Sequence, residues 1–158
     1  MRKPKIYLDT SIISHLKQDD APEKMAETHI MWEELKNGLY EIYISEIVFE
    51  ELLANEKSKQ SLLLEYLTKL EYNLIEIDEE VRNYAAKLIE IGVFTEKHYF
   101  DCLHIASAVI SECNYLISWN FRHIVRIKTV NGIRTVNAIL GYRSIDIYAP
   151  NSFIEMEE

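Results

Sequence analysis

The fold is decided at the start of the chain by Ile6-Tyr7-Leu8-Asp9-Thr10-Ser11, residues 6–11, where an apolar run ends at a carboxylate and two hydroxyls. The apolar run predicts a short strand over 5–9. Thr10 and Ser11 offer N-cap oxygens to a brief helix that extends through Leu16. A strand that leads directly into a helix begins an α/β unit.

Strand and helix patterns alternate along the rest of the chain. Apolar runs predict further strands over 41–45, 73–77, 115–118 and 145–148. Helical spacing and helix-end signals predict helices over 22–37, 46–55, 58–70, 79–91, 97–113 and 130–140. Because helices alternate with strands, we expect a three-layer α/β/α domain around a mostly parallel sheet of four to five strands.

The composition predicts one compact domain. The chain has 158 residues, with 48% hydrophobic content, four glycines, three prolines and no repeat. This is the usual size of a single domain, which we expect to span residues 1–158. No apolar run approaches the roughly 20 residues that cross a bilayer, and Asp9 falls where a signal peptide needs its apolar core. We therefore expect a cytoplasmic protein with no membrane partner.

The net charge of −9 is unevenly distributed. Residues 1–112 carry 12 basic and 22 acidic side chains, whereas residues 113–145 carry five basic side chains and no acid. The basic residues of this acid-free window are Arg122, Arg126, Lys128, Arg134 and Arg143. Such a window predicts a phosphate-binding face for a nucleic-acid partner, with His123 and Asn131 as further donors. The alternative is a face from which acids are excluded because it packs on another protein.

Four polar side chains follow apolar segments: Asp9, Glu51, Asp101 and Asn120. In a parallel α/β sheet the functional groups collect at the carboxyl ends of the strands, which is where Asp9 and Asn120 are expected. Burying a carboxylate costs several kcal/mol unless another group offsets its charge. A divalent cation would offset it, so the pattern predicts a metal site.

Helical spacing selects the other two acids. Asp101 aligns with His104 at a spacing of three residues, on an apolar stripe that we expect to face the sheet. Glu51 follows Ile47 by four residues and is a better inward candidate than Glu50. For His104 three roles stay open: packing in the core, orienting a neighbouring ligand, or binding the metal directly.

The chain resembles the PIN domain family over nearly its whole length, and in particular the VapC-like ribonuclease toxins of toxin–antitoxin modules. Four segments carry the resemblance through their order and spacing. They are Ile6-Tyr7-Leu8-Asp9-Thr10-Ser11, Ile44-Ser45-Glu46-Ile47-Val48-Phe49-Glu50-Glu51-Leu52, Asp101-Cys102-Leu103-His104-Ile105-Ala106 and Leu116-Ile117-Ser118-Trp119-Asn120-Phe121.

The resemblance implies an acidic catalytic centre at Asp9, Glu51 and Asp101, with Asn120 where many members have a fourth aspartate. The three acids are the expected ligands of Mg²⁺ or Mn²⁺, because hard cations prefer oxygen donors. The asparagine keeps an oxygen ligand but removes one negative charge, which puts affinity for a second ion in doubt.

The implied reaction is metal-dependent hydrolysis of RNA phosphodiester bonds. A bound ion would lower the pKa of the attacking water and stabilise charge on the phosphate. We also predict RNA contacts from Thr10, Ser11, Ser118, Trp119, Arg122, Arg126 and Lys128. The tryptophan is a candidate for stacking on an unpaired base, and packing in the core is the competing interpretation for it.

The resemblance also implies partners. A cognate antitoxin would insert a segment into the acidic pocket, and a homodimer would form through the leucines of residues 62–67, which core burial explains equally well. Two other functions fit part of the sequence pattern. A phosphatase of the haloacid dehalogenase type needs a second aspartate at position 11, where this chain has Ser11. A PIN-fold module that binds RNA or protein without cleaving RNA is the main alternative, because Asn120 weakens the acidic centre.

Overall fold

The computed structural model describes residues 2–157 and contains one parallel sheet of five strands in the order β3-β2-β1-β4-β5. The strands are β1 (Lys5–Leu8), β2 (Glu41–Ser45), β3 (Asn73–Ile75), β4 (Tyr115–Ile117) and β5 (Asp146–Tyr148). The central strand β1 lies between β2 and β4. The predicted parallel sheet is therefore confirmed, with five strands.

Within residues 2–157, eight α-helices connect and cover the strands. They are α1 (Thr10–Ser14), α2 (Pro22–Leu35), α3 (Glu46–Leu52), α4 (Lys57–Thr68), α5 (Glu79–Glu90), α6 (Tyr99–Ile110), α7 (Ile127–Leu140) and α8 (Pro150–Glu157). A 3₁₀ turn over His15–Lys17 follows α1, and another over Glu96–His98 precedes α6. None of the helices within residues 2–157 is both long and apolar enough to cross a membrane.

The sheet separates two apolar cores. One core contains Tyr7 and Leu116 from the strands together with buried residues of α5, α6 and α7. The other contains Leu8 and Ile117 together with buried residues of α1, α2, α4 and α8. Because neighbouring strand residues point to opposite faces, both faces are covered and the three-layer α/β/α prediction is confirmed.

The register of the central strands determines where the polar side chains lie. Leu8 of β1 pairs with Ile117 of β4, and Tyr7 pairs with Tyr43 of β2. The residues that follow these strands therefore meet at one edge of the sheet, its carboxyl edge. Asp9 and Ser118 come next to each other there, and Ser45 at the end of β2 leads into α3 on the other side.

Several predicted features need correction. Asp9, and not Thr10 or Ser11, caps α1, because the carboxylate of Asp9 accepts a hydrogen bond from the Ser11 amide. Ser45 is the expected N-cap of the helix predicted over 46–55, but among the described residues its side chain makes no capping hydrogen bond, and its hydroxyl lies 2.8 Å from that of Tyr7 instead. Helix α8 was not predicted.

The leucines of α4 contribute mainly to the core. Leu63 and Leu67 are buried, whereas Leu64 is 40% exposed. Of these three leucines, only Leu64 offers exposed apolar surface for an interface. This arrangement favours the core interpretation of the leucine-rich segment.

Candidate active site

Asp9 is the innermost acid of the carboxyl edge. Its side chain is 3% exposed. It accepts hydrogen bonds from the Ser11 hydroxyl at 2.5 Å and from the Ser118 hydroxyl at 2.5 Å, in addition to the Ser11 amide. Among the described residues no ion pair involves Asp9. Burial raises the pKa of Asp9, although the charge of His104 and the two hydroxyl contacts oppose this effect.

Glu51 lies opposite Asp9, on α3. Its neighbour Glu50 is exposed and Glu51 is partly buried, which agrees with the inward position that helical spacing predicts for Glu51; its role in the site stays a prediction. Glu51 Oε1 accepts a hydrogen bond from the Thr10 hydroxyl at 2.7 Å and lies 2.6 Å from His104 Nε2. Burial alone would raise the pKa of Glu51, but the hydrogen bond and charge of His104, with Thr10, hold it below its usual value.

His104 is buried and connects Tyr7 of β1 to Glu51. Its side chain is 3% exposed, and its Nδ1 lies 2.6 Å from the Tyr7 hydroxyl, which also contacts Ser45. Burial would lower the pKa of His104, but its hydrogen bond to Glu51 and the charges of the surrounding carboxylates raise it. The ring therefore orients Glu51, which favours the second of the three roles left open by the sequence.

Asp101 lies in the first turn of α6 and faces the same edge. Burial raises its pKa; the charge of His104 opposes this, while those of Asp9 and Glu51 add to it. The three acids are therefore close enough to influence one another. Asp101 and Glu51 line the same open pocket, together with Lys97, His98 and the exposed ring of Phe100.

Asn120 joins the end of β4 to Asp101. Its Nδ2 donates to Asp101 Oδ1 at 3.4 Å, and its Oδ1 accepts from the His123 amide at 2.9 Å. The backbone amide fixes this orientation, because a flipped side chain would turn an amide hydrogen toward another donor. The Asn120 oxygen expected to bind a metal ion is therefore bonded to the His123 amide, and the Asn120 Nδ2 faces Asp101 instead.

The donor set suits a hard divalent cation. Asp9 and Asp101 are carboxylates whose pKa values burial raises, so each would gain from a positive charge placed between them. Glu51 adds oxygens of a carboxylate that stays ionised. These residues fit the Mg²⁺ or Mn²⁺ expected from the sequence.

The most compact set of metal-ligating atoms in the described part of the chain is a different one. Ligand atoms of His98, Asp101 and His123 all lie within 4.8 Å of one another, and the three side chains are partly exposed. From the sequence, His123 is expected only as a phosphate donor of the acid-free window, and no role is predicted for His98. Helix α6 and strand β4 separate the two histidines along the chain, and nothing in their local spacing indicates that they are close in space.

Some predicted RNA contacts lie inside the protein. Ser118 is fully buried and Trp119 is 6% exposed, with the indole nitrogen donating to Thr28 at 2.8 Å. Trp119 therefore packs in the core and cannot stack on a base in this structure. Ser11 and Thr10 are partly exposed, but their hydroxyls donate to Asp9 and Glu51.

The basic window does not form one face. Arg122 and Lys128 are exposed on the segment that follows the site. Arg126 donates to Thr129 and to the Val93 carbonyl and lies over the Phe94 ring, so it has a structural role. Arg143 lies instead with Arg2 and Lys3 in a pocket at the opposite, amino edge of the sheet.

Comparisons with known proteins agree with this architecture. A family model described as the PIN domain matches residues 6–126 of the chain. One chain of the crystal structure of VapBC2 from Rickettsia felis, bound to a DNA fragment from their promoter, is 20% identical, with a TM-score of 0.60. The alignment covers 91% of this chain and 98% of that one, and at this identity it supports the fold alone. No curated protein matches. Because the family model matches most of the chain, including Asp9, Glu51, Asp101 and Asn120, the protein belongs to the PIN domain family.

Proposed function

We propose that this protein is a Mg²⁺- or Mn²⁺-dependent endoribonuclease and the toxin of a toxin–antitoxin module. PIN domains are a nuclease family, and the finer assignment rests on one observation. Asp9 is a carboxylate that is 3% exposed at the end of the central strand and has no ion-pair partner among the described residues. Such a group is costly to bury, and a bound cation would offset the cost.

Asp9 and Asp101 would hold the cation, with Glu51 beside them. When bound, the ion supplies a Lewis acid that makes water a better nucleophile and neutralises charge on the phosphate and the leaving oxygen. The hydroxyls of Ser11 and Ser118 keep the Asp9 carboxylate in one orientation. Asp101, on the open side of the site, is accessible to a phosphodiester from the pocket that it lines.

Glu51 has a different part in this proposal. The lowered pKa of Glu51 makes it a weak proton acceptor, so it positions the attacking water through a hydrogen bond instead of removing its proton. Thr10 and His104 both contact Oε1, which leaves Oε2 for this bond. Asn120 would donate to Asp101 and keep that carboxylate aligned.

The proposed partners are RNA and a cognate antitoxin. Arg122 and Lys97 are exposed cations near the acids and suit an RNA backbone. The antitoxin proposal is supported by the similar structure from Rickettsia felis, which is that of VapBC2 bound to a DNA fragment from their promoter. We further propose that the chain acts as a single domain in the cytoplasm, and a homodimer is an additional hypothesis.

The proposal is tested by incubating purified protein with a mixed pool of structured and single-stranded RNAs in Mg²⁺, Mn²⁺ or EDTA. We expect internal cleavage with a divalent ion and none in EDTA. Asp9→Asn and Asp101→Asn should both remove cleavage while circular dichroism and urea unfolding report a folded protein. Full cleavage by both variants would contradict the site assignment.

Matched variants separate Glu51 from its neighbour. Glu51→Gln should lower the cleavage rate strongly, whereas Glu50→Gln changes an exposed side chain on the same helix and should not. RNA binding without cleavage in any metal would instead support the non-catalytic module, an alternative consistent with the amide nitrogen that Asn120 turns toward Asp101.

A further inference from the structure

We propose that His98, Asp101 and His123 bind a divalent transition-metal ion of the zinc class, at a site beside the oxygen donors of Asp9 and Glu51. The three residues each offer a ligand atom, and these atoms lie within 4.8 Å of one another. The inference needs only these side chains and does not depend on the nuclease proposal.

Two separate parts of the fold bring the ligands together. His98 ends the 3₁₀ turn that leads into α6, and Asp101 follows in the first turn of that helix. His98 Nδ1 lies 3.8 Å from Asp101 Oδ2, with side-chain exposures of 30% and 20%. His123 arrives from the turn after β4, and its ring centroid is 4.0 Å from that of His98. Solvent can therefore reach all three ligands.

Asn120 organises the site from behind. It accepts a hydrogen bond from the His123 backbone and donates to Asp101 Oδ1, so one side chain connects the His123 turn to α6. Asp101 Oδ2 remains directed toward His98. Residues that fix the orientation of metal ligands raise metal affinity, because the ligands lose less conformational freedom when the ion binds.

The ligand types select the metal. Imidazole nitrogens suit zinc and neighbouring transition metals, whereas Mg²⁺ prefers oxygen donors. Two histidines and one carboxylate provide three protein ligands and leave a fourth, open position. Asp101 belongs to this set and to the proposed acidic centre, so an ion held by the histidines would compete for a carboxylate that the nuclease reaction needs.

Metal binding is measured directly with the full chain, free of any polyhistidine tag. Titration calorimetry with Zn²⁺ should give one equivalent bound to the metal-free protein. Co²⁺ should produce visible absorption bands on binding, and Zn²⁺ should displace it. His98→Gln and His123→Gln should each weaken Zn²⁺ binding by at least about tenfold, which corresponds to about 1.4 kcal/mol. The control His29→Gln changes a histidine of α2 whose ring contacts the Leu16 carbonyl, and it should bind Zn²⁺ like the wild type.

Asp9→Asn distinguishes this site from the acidic centre. That variant should keep Zn²⁺ binding even though we expect it to lose RNA cleavage, so the two proposals can fail separately. The zinc proposal is overturned if the double variant His98→Gln/His123→Gln binds Zn²⁺ as tightly as the wild type. It is also overturned if Asp9→Asn loses the bound Zn²⁺ while both histidine variants retain it.

Discussion

His104 Nε2 lies 2.6 Å from Glu51 Oε1, and this contact connects the helix that carries Asp101 to the helix that carries the third acid. The histidine is buried and the glutamate is one-third exposed, so the pair lies at the boundary between core and solvent. Glu51 and His104 also shift each other's pKa in opposite directions, which favours the ion pair. The geometry of the acidic centre therefore depends on a residue that is itself almost inaccessible.

His104→Gln should destabilise the protein. It removes the positive partner of a partly buried carboxylate and disturbs the contact to the Tyr7 hydroxyl. Losing one member of such a pair costs about 3 kcal/mol, measured as the free energy of unfolding in urea. A double-mutant cycle with Glu51→Gln is the control. If the two losses simply add, the residues are not coupled.

The same histidine should make stability depend on pH. Because the pKa of His104 is raised on folding, its contribution is fully present below the unfolded value of about 6.5 and is lost as pH rises through the folded value. Unfolding measured in EDTA should show wild-type stability falling above pH 6.5 relative to His104→Gln. Burial also raises the pKa values of Asp9 and Asp101, and this makes stability fall with rising pH in the wild type and in the variant alike. A difference that stays constant with pH would contradict this assignment.

Gly132→Ala should also be destabilising. A Cβ at position 132 would lie 2.3 Å from Val93 Cγ2 and 2.7 Å from Cγ1, so Gly132 lets α7 approach the segment after α5. Overpacking costs about 1–3 kcal/mol, and replacing a helical glycine returns about 1 kcal/mol, which leaves a net loss of about 1 kcal/mol in urea unfolding. Adding Val93→Ala should relieve the clash. An increase in stability for the single variant would show that the close approach is not maintained.

The sequence predicted the parts of the site that depend on local pattern. Asp9 and Asn120 follow apolar runs, and strand ends in a parallel sheet meet at one edge. Helical spacing predicts that Glu51 is more buried than Glu50, because consecutive residues point about 100° apart around a helix, and the burial of the two residues agrees with this. Helix α8 could have been predicted too, since Pro150 suits the first turn of a helix.

The rest depends on tertiary packing. The pairing of His98 with His123 joins segments separated by β4 and α6, and no short-range pattern encodes it. Trp119 is buried where its indole nitrogen donates to Thr28, a residue of α2 that is distant in sequence, so its burial depends on how that helix packs. The acid-free window predicted one basic face, but Arg143 lies at the amino edge of the sheet, opposite the acids.

Arg122→Gln should weaken RNA binding, because Arg122 is exposed on the turn beside the acidic centre. Fluorescence anisotropy with a single-stranded RNA in EDTA measures binding without cleavage. Each lost phosphate contact should also reduce the salt dependence, by about 0.7 in the slope of log K against log salt. Arg143→Gln is the matched control at the amino edge and should bind like the wild type. Equal losses in the two variants would argue against an RNA path past Arg122.

Asn120→Asp should exchange stability for metal affinity. The new carboxylate can still accept from the His123 amide, but it replaces an N–H donor with a negative charge beside Asp101 Oδ1, 3.4 Å away. We expect the metal-free protein to lose about 1–2 kcal/mol in urea unfolding. Mn²⁺ should bind at least about tenfold more tightly, because each added carboxylate increases the attraction for a hard cation. Asn114→Asp adds the same charge before β4, at the opposite end of that strand, and keeps the acceptor for the Lys5 amide. Equal Mn²⁺ affinity in Asn120→Asp, Asn114→Asp and wild-type protein would place the ion away from Asp101.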